Sequence, residues 1–504
     1  MKGVESQRKG RLALETAEGS PTNLCHGRDA WVKMTRPLKD KAVRLKGNIP
    51  MEELLRKNGY RFRYLLVAIV TLCYSMQYLD RVKTAILMPF ISKDIGMSNY
   101  QIGIGAALML IFYGPSQVMT GWVCDRIGSR KVLIFSIVSW SVLTYLQGEV
   151  RTVGEWYARM VLFGILIGTE FIPSTRLIIR YYPPLQRARA QSILSWAWIL
   201  TPAWAPILAT FVFTLFHNNW REVFHVLGLS GAIPLVLILV FAQDHPEKNR
   251  FTSKEEALES YEEEIQSGLI SESDVRNGRV QIIADKSKTT DVAFSQILRT
   301  PGYIPLVFVY VAAQLAYWGV MTWSAQYLVQ VHKFSVMKMG VWASIYFIGG
   351  ALGAYSGGWV SDSILGGRRK PMILLCFICM IPFVLILANL TIGVSPFVLL
   401  LTLTGAGFFS NMVWGPAITI PADMFPVQAY GKAMGGVNCI AYMLAAASPY
   451  VMGWLIRVDP VSKTSNYLYA WLWVAGTALI GVLAASMLVD KRTGRQTLAK
   501  GVGA

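Results

Sequence analysis

Twelve apolar stretches, most of them near 20 residues long, divide the chain at 64–90, 101–123, 132–146, 156–179, 190–216, 223–242, 303–329, 339–360, 372–390, 397–420, 433–456 and 467–489. A hydrocarbon core roughly 30 Å thick takes about 20 residues of helix to cross, so each stretch is expected to span a bilayer. The pattern therefore predicts an all-α membrane protein of twelve transmembrane helices. A polar segment, 244–300, separates six stretches from six and delimits two six-helix bundles, 61–243 and 301–490. Within it Glu255, Glu256, Glu259, Glu262, Glu263 and Glu264 suit a short solvent-facing helix. The flanking segments 1–60 and 491–504 read as cytoplasmic tails; the first is polar, without periodicity, and expected to be disordered.

Two of the connecting loops are nearly copies of one another. Gly121, Asp125, Arg126, Gly128, Arg130 and Lys131 follow the second stretch, and Gly358, Asp362, Gly366, Arg368, Arg369 and Lys370 follow the eighth. In both, a Gly precedes an Asp by four residues, and a Gly turn and a basic cluster lead into the next stretch. One half-protein is thus written twice, and transporters are built from such duplicated bundles.

Composition agrees: of 504 residues 53% are hydrophobic and only 15% charged, with a formal charge of +18. The cations crowd the segment before the first stretch and the second-third, fourth-fifth and eighth-ninth connections. By the positive-inside rule these faces, and both termini, are cytoplasmic. The basic excess therefore reports topology; the expected partner is the lipid bilayer, and no nucleic acid is expected. No secretion signal precedes the first stretch, which is expected to act as an uncleaved one. Cys376 and Cys379 have a redox or zinc spacing but lie inside an apolar stretch without a second pair, so they read as packing. No hydrolase, kinase or metal-enzyme constellation stands out, so neither an enzyme nor a cofactor or metal is expected.

Other small residues carry two readings. Gly349, Gly353 and Gly357 recur every four residues, which suits either fixed close packing or a surface on which the halves slide. Gly431 and Gly435 allow the same pair of readings. Pro173, Pro202, Pro206 and Pro416 are expected to kink their helices, since proline removes a backbone donor.

The repeated Gly-x-x-x-Asp-Arg-x-Gly-x-Arg-Lys loops, twelve helices and six-plus-six division resemble the major facilitator superfamily over about 64–490. That resemblance implies the major facilitator fold. It also implies a cytoplasmic gate at Gly121, Asp125, Arg126, Gly128 and Arg130, with Asp362 and Arg368 in the second copy. Ser363 stands where the first copy has Arg126, which weakens the second latch.

Narrower features, Tyr78-Leu-Asp80-Arg81, Pro173-Ser-Thr-Arg176 and Asn219-Trp220-Arg221-Glu222, resemble the anion:cation symporter family of hexuronate, galactonate and glucarate permeases. The resemblance implies proton-coupled uptake of a small organic anion, a sugar acid or hydroxy-carboxylate, at a bacterial inner membrane; a monomer is expected, with the proton as coupling ion. The family's usual Glu on the fourth helix, seven residues after an Arg and five before a Pro, is displaced here. Glu170 lies eleven residues after Arg159 and three before Pro173.

Arg81 follows Tyr64 by 17 residues, about 25 Å along a helix, and its planar guanidinium suits a two-toothed grip on a carboxylate. It is the first candidate for the substrate anion, with Lys83 and Arg159 as further cations. Asp80 and Glu170 are candidate proton sites; a structural Asp80–Arg81 pair and a helix-end role for Glu170 are the alternatives. By family position Tyr78 and Tyr113 would contact substrate hydroxyls. In the second half Gln314, Trp318, Ser410, Asn411, Trp414 and Asn438 are polar or amphipathic groups at membrane depth, able to read a hydroxylated chain. A sodium cage of clustered oxygens is not evident. An organophosphate or oxalate-type exchanger is the rival on the same fold, and a non-transporting sensor the rival outside it.

Overall fold

The computed structural model describes residues 61–266, 270–278, 280, 293–391, 393–425, 427–458 and 465–488. The expected tails, 1–60 and 491–504, lie outside the described residues. The first half comprises α1 (Phe62–Ile95), α2 (Asn99–Ile127), α3 (Ser129–Gln147), α4 (Val153–Ile167 and Phe171–Tyr181), α5 (Pro184–Leu215) and α6 (Trp220–Ser230 and Ala232–Phe241). The second comprises α7 (Tyr303–Gln330), α8 (Val336–Ser363), α9 (Arg369–Asn389), α10 (Pro396–Met412 and Trp414–Met424), α11 (Val427–Ala445 and Ala447–Leu455) and α12 (Leu468–Ser486). Ten of these are long and apolar enough to cross a membrane; the third and eleventh complete the twelve. A two-residue antiparallel ribbon, Arg457–Val458 with Ser465–Asn466, joins α11 to α12.

The sequence duplication reappears as duplicated packing. In the first half α1 packs on α5, α2 on α4 and α3 on α6; in the second α7 packs on α11, α8 on α10 and α9 on α12. Every pairing recurs with a shift of six helices.

Proline sets the interruptions. The four broken helices break at Glu170, Gly231, Val413 and Ala446, each three residues before Pro173, Pro234, Pro416 or Pro449. A proline lacks the N–H that would reach back one turn, and its ring collides with that turn's carbonyl. Pro202 and Pro206, expected to act likewise, sit inside the continuous α5. Helix α1 runs past its expected end at 90 to Ile95, closed by Gly96 in the left-handed region, which moves Arg81 to the middle of the helix.

The central segment departs from the expected solvent-facing helix. Glu256, in the helix Lys254–Ser260, is buried and accepts the backbone N–H groups of Phe62 (3.0 Å) and Arg63 (2.7 Å). Glu259 pairs with Arg61 (2.6 Å) and Arg63 (2.8 Å). A helix N-terminus exposes unpaired donors and a partial positive charge, and these carboxylates satisfy both for α1. Burial pushes the Glu256 carboxyl up to about 7, against the pull of the Phe62 N–H and Arg61.

The halves touch mostly toward the end remote from the charged loops. Tyr100 and Tyr450 share a hydrogen bond of 3.1 Å, Gln326 donates to Ser92 at 3.3 Å, and Gly103 lies against the Pro449 carbonyl. Contacts continue to mid-depth, where Gly114 meets the Cys439 backbone. Nearer the loops, Gly121, Gly431 and Gly435 have no atom from another part of the described residues within 4 Å of where a Cβ would stand.

The glycine stripe resolves to fixed packing within the second half. A Cβ on Gly349, Gly353 or Gly357 would stand 2.4, 2.0 and 2.0 Å from the backbone carbonyls of Thr404, Phe408 and Met412 on α10. Gly353→Val should destabilise the protein by about 1–3 kcal/mol, while Gly431→Val stays within about 0.5 kcal/mol. Thermal unfolding of the two purified variants reads the difference.

Candidate functional site

Arg81 stands on α1 at mid-depth, 3% exposed, facing the second half. Its guanidinium lies 4.4 Å from the ring centre of Tyr113 and 5.0 Å from that of Tyr78. Nη2 donates to Gln77 Oε1 at 3.1 Å, and Nε is buried with no partner. No carboxylate forms an ion pair with it among the described residues. A charge at this depth costs about 3 kcal/mol on insertion scales, and each ring returns about 0.5–2 kcal/mol. The rings disperse the charge without neutralising it.

The aromatic surround closes across the two halves. The hydroxyls of Tyr78 and Tyr317 share a hydrogen bond of 2.7 Å. Tyr113, which accepts a hydrogen bond from Gln117 Nε2 at 2.7 Å, meets Tyr442 of α11 edge to face at 4.5 Å. Tyr74, one turn below Tyr78, packs on it at 6.4 Å. Beyond Arg81 toward the remote end lies a small cavity walled by Met88, Met109, Met160, Met321, Trp156 and Trp318.

Asp80 and Lys83 turn away from this seam. Lys83 Nζ donates to Asp80 Oδ1 at 2.7 Å, Thr144 of α3 donates to Asp80 Oδ2 at 2.8 Å, and the Lys83 ammonium sits 4.2 Å from the Phe224 ring of α6. Both are buried inside the first bundle. Lys83, expected at the substrate site, stands apart from the cavity beside Arg81: three residues along a helix brings Lys to Asp, and the two form an ion pair. The alternative Asp80–Arg81 pair is likewise replaced by Asp80–Lys83.

Glu170 is fully buried at the break in α4 with no close hydrogen bond to either oxygen; the Trp140 indole is its neighbouring donor and the Arg81 guanidinium its neighbouring cation. Gln77 links this break to Arg81, since its Nε2 donates to the Ile167 carbonyl at 2.5 Å while its Oε1 accepts from Arg81. Arg159 is half-buried on α4 and does not line the cavity.

In the second half Trp318 lines the cavity, and its indole nitrogen is unpartnered. Gln314, buried on α7, interacts with the Tyr442 hydroxyl. Ser410 and Asn411 are engaged elsewhere: Ser410 bonds to Tyr346 at 2.8 Å, and both donate to the Gly407 carbonyl. Trp414 packs on Tyr310 and, across the halves, on Trp198 at 6.1 Å. Asn438 is half-buried on α11. Ser410, Asn411, Trp414 and Asn438 thus stand apart from the cavity beside Arg81. Gln77, Tyr74, Tyr317 and Tyr442 were not anticipated; only Tyr74 and Gln77 carried a signal, one turn from Tyr78 and Arg81.

At the loop end Asp125 pairs with Arg176 of α4 at 2.5 Å, and Arg126 stacks on Trp122 at 3.5 Å. Arg130 holds the end of α6 through Gln243 Oε1 (3.4 Å) and the Leu239 carbonyl (2.8 Å), while its N–H donates to Asp244. Gly128 has φ of +91°, and a Cβ there would meet Asp244 at 2.5 Å, so only glycine fits. Asp362 pairs with Arg369, and Arg368 stands at the N-cap position of α9 without a side-chain bond to the helix. The ion pairs of Asp125 and Asp362 each stay within their own half.

The model of the Major Facilitator Superfamily matches residues 70–365 and 334–503. The chain belongs to that family: it is a multi-pass membrane transporter and not an enzyme. Among its relatives is the "Probable galactarate/D-glucarate transporter GarP" of Escherichia coli K12, 25% identical, with 86% of this chain and 96% of that one aligned. Another is the "Probable sulfoacetate transporter SauU" of Cupriavidus necator, 25% identical over 86% of this chain and 94% of the relative. Among solved structures, that of a D-xylose-proton symporter superposes with a TM-score of 0.65 at 16% identity, over 86% of this chain and 99% of the other.

Burying one charge of a pair without the other costs about 3–5 kcal/mol. Asp80→Asn and Lys83→Met should therefore each lower thermal stability by that order, and the double substitution should recover most of it. Melting curves of the three variants in detergent check this.

Proposed function

We propose that the protein takes up a small organic anion, a hydroxy-carboxylate or sugar acid, together with a proton, by alternating access between its two bundles. The observation that carries this is Arg81: a buried guanidinium at the seam of the halves, with Nε free of partners and no carboxylate bound to it. A carboxylate entering from solution supplies the missing charge and accepts parallel hydrogen bonds. The named substrates of GarP and SauU, galactarate or D-glucarate and sulfoacetate, are all organic anions and support the same class.

With the charged loops placed in the cytoplasm, contacts near the outer end and open glycines near the loops describe an inward-open state. Closing the bundles on an anion held by Arg81 on one side and by α7 and α11 on the other couples binding to rocking. Glu170 is the better-placed proton carrier: it has no fixed partner, and Gln77 ties its helix break to Arg81. Asp80 is held by Lys83 and Thr144. The same commitment of Lys83 removes the second cation on which the organophosphate or oxalate exchanger rested.

Proteoliposomes given an inward proton gradient and labelled hydroxy-carboxylates, sugar acids and sugar phosphates test the reading. Acid-driven uptake of a carboxylate is expected; Arg81→Ala abolishes binding, whereas Arg130→Ala leaves binding intact and slows turnover. Counterflow with no response to the gradient points to exchange, and absence of any carboxylate flux refutes the proposal.

A further inference from the structure

We infer that the carried anion is a hydroxy-carboxylate with an apolar body, aromatic or branched, and not a polyhydroxylated sugar acid. This narrows the reading above and rests on Arg81 as the carboxylate's anchor. The cavity that Arg81 lines is short of acceptors for a sugar acid's hydroxyl protons, and its unpartnered polar groups are two donors, the indole N–H groups of Trp156 and Trp318. Its walls are Met88, Met109, Met160 and Met321 with Trp156 and Trp318, and Ile102, Ala85 and Ala106 close the gaps. Of the two hydroxyls beside it, Thr84 already donates to the Asp80 carbonyl at 2.8 Å, which leaves Thr322. The lining contains no carboxylate or carboxamide, so a chain of hydroxyls would find few acceptors for its protons. A hydroxyl buried without partners loses its hydrogen bonds to water.

The groups suited to reading hydroxyls point the same way. Ser410 and Asn411 spend their hydrogen bonds on Tyr346 and the Gly407 carbonyl, and Gln314 on Tyr442. Close to Arg81 the hydroxyls are those of Tyr78 and Tyr317, bonded to each other. They can open to one carboxylate and one neighbouring hydroxyl. Methionine, with its flexible thioether, adapts to an irregular or aromatic body, and the two indoles offer flat apolar faces. An anion with its charge and one hydroxyl at the Arg81 end and an apolar body beyond them matches that order of surfaces, with the flexible methionines shifting to widen a cavity of about 40 Å³ around the body.

Counterflow with the full chain in proteoliposomes tests this, using labelled phenyllactate, 2-hydroxy-4-methylpentanoate, D-galactonate and D-glucarate, with protein-free vesicles measuring passive flux. The two apolar-bodied acids should half-saturate at concentrations about tenfold or more below either sugar acid. Met321→Gln should shrink that gap about threefold, and Arg81→Ala should end exchange of all four. If Met321→Gln does not fold, the wild-type ranking alone decides. A sugar acid preferred over, or equal to, both apolar-bodied acids overturns the inference and leaves carboxylate uptake standing. Failure of all four to exchange overturns both.

Discussion

A guanidinium with no ion-pair partner among the described residues, held at mid-membrane between two bundles, is the constraint around which the rest of the structure is arranged. Arg81 is buried, ringed by tyrosines from both halves, and joined to the backbone of α4 through Gln77. Tyrosine faces soften the charge without cancelling it, so the site stays attractive to an anion and poorly suited to a cation. The same rings belong to α1 and α2 on one side and α7 and α11 on the other. Whatever neutralises Arg81 therefore acts on both halves at once.

The nearby carboxylates feel Arg81 without forming an ion pair with it among the described residues. Asp80 and Lys83, the nearest ionisable neighbours in sequence, cancel each other inside the first bundle. Glu170 sits at the proline-induced break of α4, where the chain departs from regular helix and its carboxyl has no fixed partner. At the loop end, Asp125 with Arg176 and Arg130 with the end of α6 brace each bundle internally. Internally braced halves are what the proposed rocking requires, and the glycine stripe of α8, packed closely on α10, adds to that bracing.

Much of this was legible in the chain. Apolar length gives the helices because the bilayer sets their span, and the duplicated loops give the repeat because they recur in phase with it. Arg81 could be singled out because a charge in an apolar run is costly wherever it lies. The geometry around it was not legible. Lys83 read as a second anion anchor, since sequence shows its charge but not that its helical face points to Asp80 and Phe224. Tyr317 and Tyr442 resemble any aromatic in an apolar helix, and only their approach across the seam distinguishes them. Pro173 and Pro416 are legible as kinks, whereas Pro234 and Pro449 lie in stretches whose hydropathy gives no sign of interruption. The stripe of Gly349, Gly353 and Gly357 showed that a helix comes close, and could not show that it is α10 of the same bundle.

Under the proposed function Arg81 stays unneutralised until an anion arrives. Thermal stability of Arg81→Met, measured with and without carboxylate, tests it most directly. The substitution keeps the apolar stem and removes the charge, so the ligand-free variant should melt no lower than the wild type, and added carboxylate should raise only the wild type's melting temperature. A ligand-free variant that melts several degrees lower, or one still stabilised by the anion, would contradict it.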